Sequence, residues 1–174
     1  MWDFFQTVRH RHSVRAYKPE LPVTREQLHA VLETACAAPS AGDLQSYRIV
    51  VVQDAGRRHA LGQASGGQRF ISQAPLCLVF CADPGRAAEQ FDQRGRSLYA
   101  MQDATIAATY AQLACVAAGL GTTWVGEFDE AAVRAALELP AELSPVALLS
   151  VGHPAELPEP TRRRRLDEMV IHAG

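Results

Sequence analysis

Five adjacent residues near the start of the chain, Arg11-His12-Ser13-Val14-Arg15, are the first group in the sequence that could do chemistry. In an extended segment alternate side chains share a face, so Arg11, Ser13 and Arg15 would project together. Two guanidiniums and a hydroxyl on one side form a clamp for phosphate, because arginine offers forked, charge-assisted donors matched to phosphate oxygens. The plainer alternative is a solvated basic turn. A second cationic run, Arg162-Arg163-Arg164-Arg165, stands just before LDEMV. Four adjacent cations need either water, as in a solvated tail, or an acidic ligand.

Two loops complete the candidate set. Pro39-Ser40-Ala41-Gly42-Asp43-Leu44-Gln45-Ser46-Tyr47 joins a helix end to an apolar strand. Its small residues would let backbone N–H groups come close to a flat ligand. Gly119-Leu120-Gly121-Thr122-Thr123-Trp124-Val125-Gly126-Glu127 is glycine-rich but has the wrong spacing, and follows the wrong element, for a dinucleotide fingerprint. It could present backbone donors to a ring system beside Trp124. It could equally be a helix C-cap followed by a core tryptophan. The chain has no HExxH, GxSxG or P-loop motif, and no Cys/His cluster at zinc spacing, so no metal is expected. Anion clamps and close-approach loops without a nucleophile fit a protein that takes its chemistry from a bound phosphorylated cofactor.

The elements that must position these residues can be read from periodicity. A short helix is expected over 3–10. A second opens at Thr24, whose spacing to Gln27 is that of a capping box, and stops at Pro39. RIVVV, LCLVFCA and VALLSVG are continuous apolar runs and read as buried strands, with a further short strand at 122–125. A helix is expected from Asp54 to about Ala64. DPG at 83–85 reads as a turn leading into a polar, mobile stretch up to Gly95. Residues 97–118 read as one long helix, and Asp129 caps another that ends at Pro140. Strands separated by helices give an α/β or α+β sandwich. The long helix is apolar on more than one face, which suggests burial against a partner subunit as well as the sheet. The cysteines lie far apart or inside apolar runs and read as reduced core residues.

Composition narrows the function. The chain has 174 residues, 48% hydrophobic and 21% charged, so global disorder is excluded and one domain is favoured over two small ones. A folded monomer of 18.9 kDa should expose about 8,300 Å². A net charge of −2 argues against a nucleic-acid coat protein. The first residues lack the apolar core of a signal peptide, and Leu98–Leu120 is too polar for a membrane span, so a soluble, cytoplasmic protein is expected.

Four segments together, RHSVRAY, APSAGDLQSYRIVVV, GLGTTWVGEFD and VGHP followed by RRRRLDEMV, stand in the order and at roughly the spacing of the FMN-dependent nitroreductase superfamily. The sequence resembles that family over nearly its whole length. The resemblance implies a single domain over 1–174 with the α+β nitroreductase-like fold: a central, mostly antiparallel sheet flanked by helices, with a long helix at a dimer core. It implies a homodimer with FMN at the interface. Arg11, His12, Ser13 and Arg15 match the segment that holds the FMN phosphate, ribityl chain and pyrimidine edge. Pro39, Ser40, Ala41 and Asp43 match the loop that reaches the flavin from the other subunit. Trp124, Val125 and Gly126 match the loop beside the isoalloxazine, and Arg163 and Arg165 match a C-terminal phosphate clamp.

The implied reaction is a ping-pong transfer through flavin N5. NADPH or NADH would be the reductant, a small-molecule acceptor such as a nitroaromatic or quinone the oxidant, and no side chain a catalytic acid. Other chemistries on the same fold, dehalogenation or dehydrogenation, and a non-catalytic FMN-binding module are the alternatives. The chain departs from the family at Asp43, where asparagine is common, and at Ser46-Tyr47, where Pro-Trp is usual. A carboxylate cannot donate to a flavin acceptor as an amide can. The stretch 83–96 is short, so a small lid is expected, and the arm after Val170 is also short, so little wrapping around the partner is expected.

Overall fold

The computed structural model describes residues 3–173. Its elements in chain order are α1 (Phe4–His10), α2 (Arg25–Cys36), β1 (Tyr47–Val52), α3 (Ala55–Ala64), α4 (Arg69–Gln73), β2 (Leu76–Ala82), α5 (Pro84–Arg94), α6 (Ala100–Ala117), β3 (Gly121–Val125), α7 (Glu130–Leu137), β4 (Ser144–Gly152) and α8 (Leu166–Met169). Helix starts follow the local chemistry. Asp3 and Gln6 exchange side-chain and backbone hydrogen bonds at 2.7 and 3.1 Å, and Thr24 and Gln27 do the same at 3.1 and 3.0 Å. Each such box satisfies two N–H groups that a helix start leaves without partners. Asp54 and Asp129 cap α3 and α7 through single side-chain bonds.

The four strands form one antiparallel sheet in the order β1-β2-β4-β3. β2 is buried along its whole length, and its alternation feeds two cores. Leu76, Leu78, Phe80 and Ala82 pack with Val31 and Ala35 of α2 and with the α6 alanines 100, 104, 107, 108 and 111. Cys77, Val79 and Cys81 pack on the other face with Leu61, Phe70, Ile71, Val133 and Leu137. Alanine at the contact positions brings α6 close to the sheet. Pro145 sits where the β2–β4 register shifts, a position at which its missing N–H costs no ladder bond.

Four expectations change. RIVVV is not a fully buried strand: β1 is an edge strand, with Arg48 and Val51 exposed and Ile49 and Val50 half-buried. The DPG at 83–85 is a helix start rather than a turn, because Asp83 accepts the Arg86 N–H at 3.0 Å and Pro84 occupies the first helical position. The expected mobile stretch is therefore α5. The long helix does not run from 97. A π-helical turn, Gly95–Tyr99, precedes α6. Cys36 is exposed, unlike Cys77, Cys81 and Cys115, which are buried and free.

Burial holds these three thiols and Tyr17 protonated. It pushes Cys77, Cys115 and Tyr17 up to about 12 and Cys81 up to about 11. Because each folded value exceeds the ordinary thiol value of 9.0 or phenol value of 10.0, the unfolded chain loses these protons first. Their contribution to stability is complete below about pH 9 and is lost as pH rises toward about 12. Denaturant midpoints should accordingly be flat up to about pH 9 and fall steadily above it.

Candidate functional site

The segment between α1 and α2 runs beside the sheet rather than around it. Ser13 bridges Thr122 in parallel, the Val14 N–H donates to the Thr122 carbonyl at 2.9 Å, and the Thr123 hydroxyl donates to the Val14 carbonyl. Val14 turns inward and is buried. Gly121 permits this approach, since a Cβ there would lie 2.8 Å from Val14 Cγ2. With Val14 inward, Arg11, Ser13 and Arg15 turn outward.

They open into a cavity of about 440 Å³, which His12, Val8, Arg9, Pro158, Glu159, Pro160, Thr161 and Arg163 also line. The two ends of the chain thus meet at one place. The Arg15 guanidinium lies 5.7 Å from the Phe70 ring centre, an arrangement that orients a cation without neutralising it. The Arg163 guanidinium donates to the Thr161 hydroxyl and carbonyl. Burial first, and then the nearby Arg163 charge, lower the Arg11 pKa below the ordinary arginine value. Among the described residues none of Arg9, Arg11, Arg15 and Arg163 makes an ion pair, and Glu159 is the only acid lining the cavity. A partly desolvated like-charge cluster is unfavourable by itself, and a phosphate would reverse the sign of that energy. The donor set, guanidiniums with a serine hydroxyl, fits a phosphate monoester.

The other expected residues lie apart from this cavity within one chain. Arg165 is turned away, with its guanidinium paired to both Asp167 carboxyl oxygens at 3.0 and 2.9 Å. Ser40, Ala41 and Asp43 sit on the loop after α2, in a tight turn beside α5 and α6, and the exposed Pro39 leads into it. Trp124 and Val125 end β3. Trp124 packs toward the α6 side of the sheet and Val125 toward the opposite core. Gly126 borders a different cavity of about 430 Å³ with Arg96, Met101, Phe128 and Pro145.

Sequence reasoning missed Arg9, Thr161 and Asp103. Arg9 is in the last turn of α1, ahead of the extended run in which alternation singled out Arg11 and Arg15. Asp103 had a usable signal, being an acid within an otherwise apolar helix. It is 2% exposed and accepts the Ala41 N–H at 2.9 Å. Among the described residues no group of acidic, histidine or cysteine side chains could hold a metal ion, and no helix is long and apolar enough to cross a membrane.

The model of the nitroreductase family matches residues 8–68 and 55–153. A protein of Thermus thermophilus described as an NADH dehydrogenase is 35% identical over 188 residues, covering 92% of this chain and 91% of that protein. An FMN reductase (NAD(P)H) of Bacillus subtilis is 33% identical over 185 residues, covering 99% of this chain and 73% of that one. Among solved structures, the NADPH:FMN oxidoreductase of Vibrio harveyi complexed with NAD+ superposes with a TM-score of 0.89 at 29% identity, covering 98% of this chain and 76% of the other.

Proposed function

We propose, from the premise that the chain belongs to the nitroreductase family, that it is an FMN-dependent oxidoreductase using NADPH or NADH to reduce small acceptors such as nitroaromatics or quinones. The observation that carries this reading is the convergence of Arg11, Ser13 and Arg15 with Arg163 on one cavity without a paired carboxylate. FMN, when bound, supplies a ring that accepts a hydride equivalent at N5 and passes it on, so reductant and acceptor can use the same face in turn. This chain's own residues would hold that ring. Arg9, Arg11, Arg15 and Arg163 would neutralise the phosphate and Ser13 would donate to it. His12, on the same cavity wall, would lie along the ribityl chain. Trp124, Val125 and Gly126, which end β3 and begin the next loop, would flank the ring.

Pro39, Ser40, Ala41 and Asp43 do not reach the cavity of their own chain, so we assign them to the flavin of a second copy. Two observations support a homodimer. The chain exposes 10212 Å², about a fifth more than a compact monomer of its mass. Its exposed apolar side chains include Phe4 and Phe5 of α1, Met101 and Tyr110 of α6, and Leu166, Met169 and Ile171 near the C-terminus, the last 94% exposed. A surface of this kind on α6 also answers the over-apolar helix noted in the sequence.

The test is a visible spectrum of the purified protein. Flavin bands that are released on denaturation, and that bleach anaerobically when NADPH or NADH is added, are the expected result. Protein refolded with excess FMN that stays colourless, with an unmoved melting point, overturns the reading. Bound FMN that neither nucleotide reduces would leave a binding module and remove the enzymatic claim.

A further inference from the structure

The loop after α2 holds an unusual conformation. Gly42, Asp43 and Gln45 have φ of 57°, 53° and 44°. Two of these are non-glycine residues in left-handed geometry, which L side chains disfavour, so the surrounding structure must hold them there. The holding group is Asp103, in the first turn of α6 and 2% exposed. One carboxyl oxygen accepts the Ala41 N–H at 2.9 Å. The other accepts the Ser46 N–H at 3.3 Å and the Ser46 hydroxyl at 2.5 Å. The carboxyl group therefore ties both ends of the turn to one point on the helix.

α5 braces the opposite side. Arg86 Nε donates to the Leu44 carbonyl, and the Asp83 N–H donates to the Ser46 carbonyl at 2.9 Å. The Gln90 side chain lies so close to Gly42 that a Cβ there would stand 2.8 Å from it. Within the turn, the Ser40 hydroxyl accepts the Gln45 N–H at 3.0 Å. If the turn left α6, buried carboxyl oxygens and two backbone donors would lose their partners together, so loop and helix move as one body.

We infer that Asp103 is the positioning residue of the flavin site: it fixes the Ser40–Asp43 turn to the same helix that carries exposed apolar surface toward the second subunit. The inference rests on the functional reading above. The turn is thereby registered to the subunit interface, and it meets the partner's flavin at a set position only while the Asp103 bonds are intact. Asp103 itself touches no ligand.

Asp103→Asn tests this at nearly constant volume. The amide brings an N–H₂ group among three donors, so at least one of the loop N–H groups is left unsatisfied. In FMN-free protein, amide exchange at Ala41 and Ser46 should accelerate about tenfold or more, the equivalent of one lost hydrogen bond, while the β2 amides keep wild-type protection. FMN titration should show affinity reduced about tenfold or more, with a shift in the visible bands of the flavin that still binds. Ser46→Ala, which removes only the hydroxyl bond, should fall between.

Unchanged exchange at Ala41 and Ser46 overturns the clamp. Accelerated exchange with unchanged FMN affinity and spectrum overturns the positioning role and leaves Asp103 a fold residue. A wild-type chain that takes no FMN overturns the functional reading, and the flavin part of the inference with it. That result is distinct from the first because exchange is read without FMN.

Discussion

Arg163→Ala is expected to weaken FMN binding by about 30-fold or more while Arg165→Ala changes it by less than about threefold. The two arginines are two residues apart and chemically identical, so the difference must come from position. Arg163 lines the cavity with Arg11 and is close enough to lower the Arg11 pKa, whereas the Arg165 guanidinium is already paired with both Asp167 oxygens. A charge-assisted bond to phosphate contributes about 1.5–3 kcal/mol, which is the stated loss. The FMN-free chain should respond in the opposite direction. Removing Arg163 relieves a like-charge contact, so the melting point of the apo protein should hold or rise slightly even as cofactor binding fails. Fluorescence titration of FMN gives the first quantity and thermal melts with and without FMN give the second. A drop in apo stability together with undiminished FMN affinity would assign Arg163 to the fold and remove it from the site.

The same contrast shows how much of the site was legible beforehand. Period-two alternation placed Arg11, Ser13 and Arg15 on one face because the segment is extended and hydrogen-bonded to β3, so local geometry was enough. Within the run 162–165 every residue is the same, and the choice among them depends on Thr161 and Asp167, whose influence is tertiary. The strands were legible as apolar runs, but burial was not. RIVVV and LCLVFCA look alike, yet one is an edge strand and the other central, which depends on strand order rather than composition. The capping box at Thr24 was a sound local signal, whereas the matching box at Asp3 went unread. DPG failed as one because the same residues that start a turn also start a helix, and the amphipathic continuation through Ala87 decided the outcome. The loop at 39–47 was visible as small and polar, but its left-handed turn and its anchor on Asp103 join residues about sixty positions apart.

Gly95→Ala should destabilise the protein by about 3 kcal/mol or more, although Gly95 has ordinary helical dihedrals and alanine is the better helix former. Propensity alone predicts a gain of up to about 1 kcal/mol. Packing opposes it. α5 kinks at Asp92, at φ 47° and ψ −135°, and the chain beyond the kink folds back against the helix. A Cβ on Gly95 would lie 2.2 Å from the Ala87 carbonyl oxygen, 2.7 Å from its carbon and 2.9 Å from Phe91 Cβ. Two of these three atoms are backbone within a helix and cannot swing aside, so the turn itself must shift. Gly85→Ala, near the start of the same helix, meets only Asp83 Oδ1 at 3.6 Å and should be neutral or stabilising by up to about 1 kcal/mol. Urea midpoints of the two variants should therefore move in opposite directions or by very different amounts. The site is affected by the same displacement, because the π-helical turn feeds directly into α6 and Asp103 lies one turn further on. A shifted turn moves the carboxyl group that holds Ala41 and Ser46, so whatever folded Gly95→Ala protein remains should also bind FMN more weakly than Gly85→Ala. Equal stability of the two variants would mean that α5 and the turn are not packed as described, and would also remove the brace on the 40–46 loop.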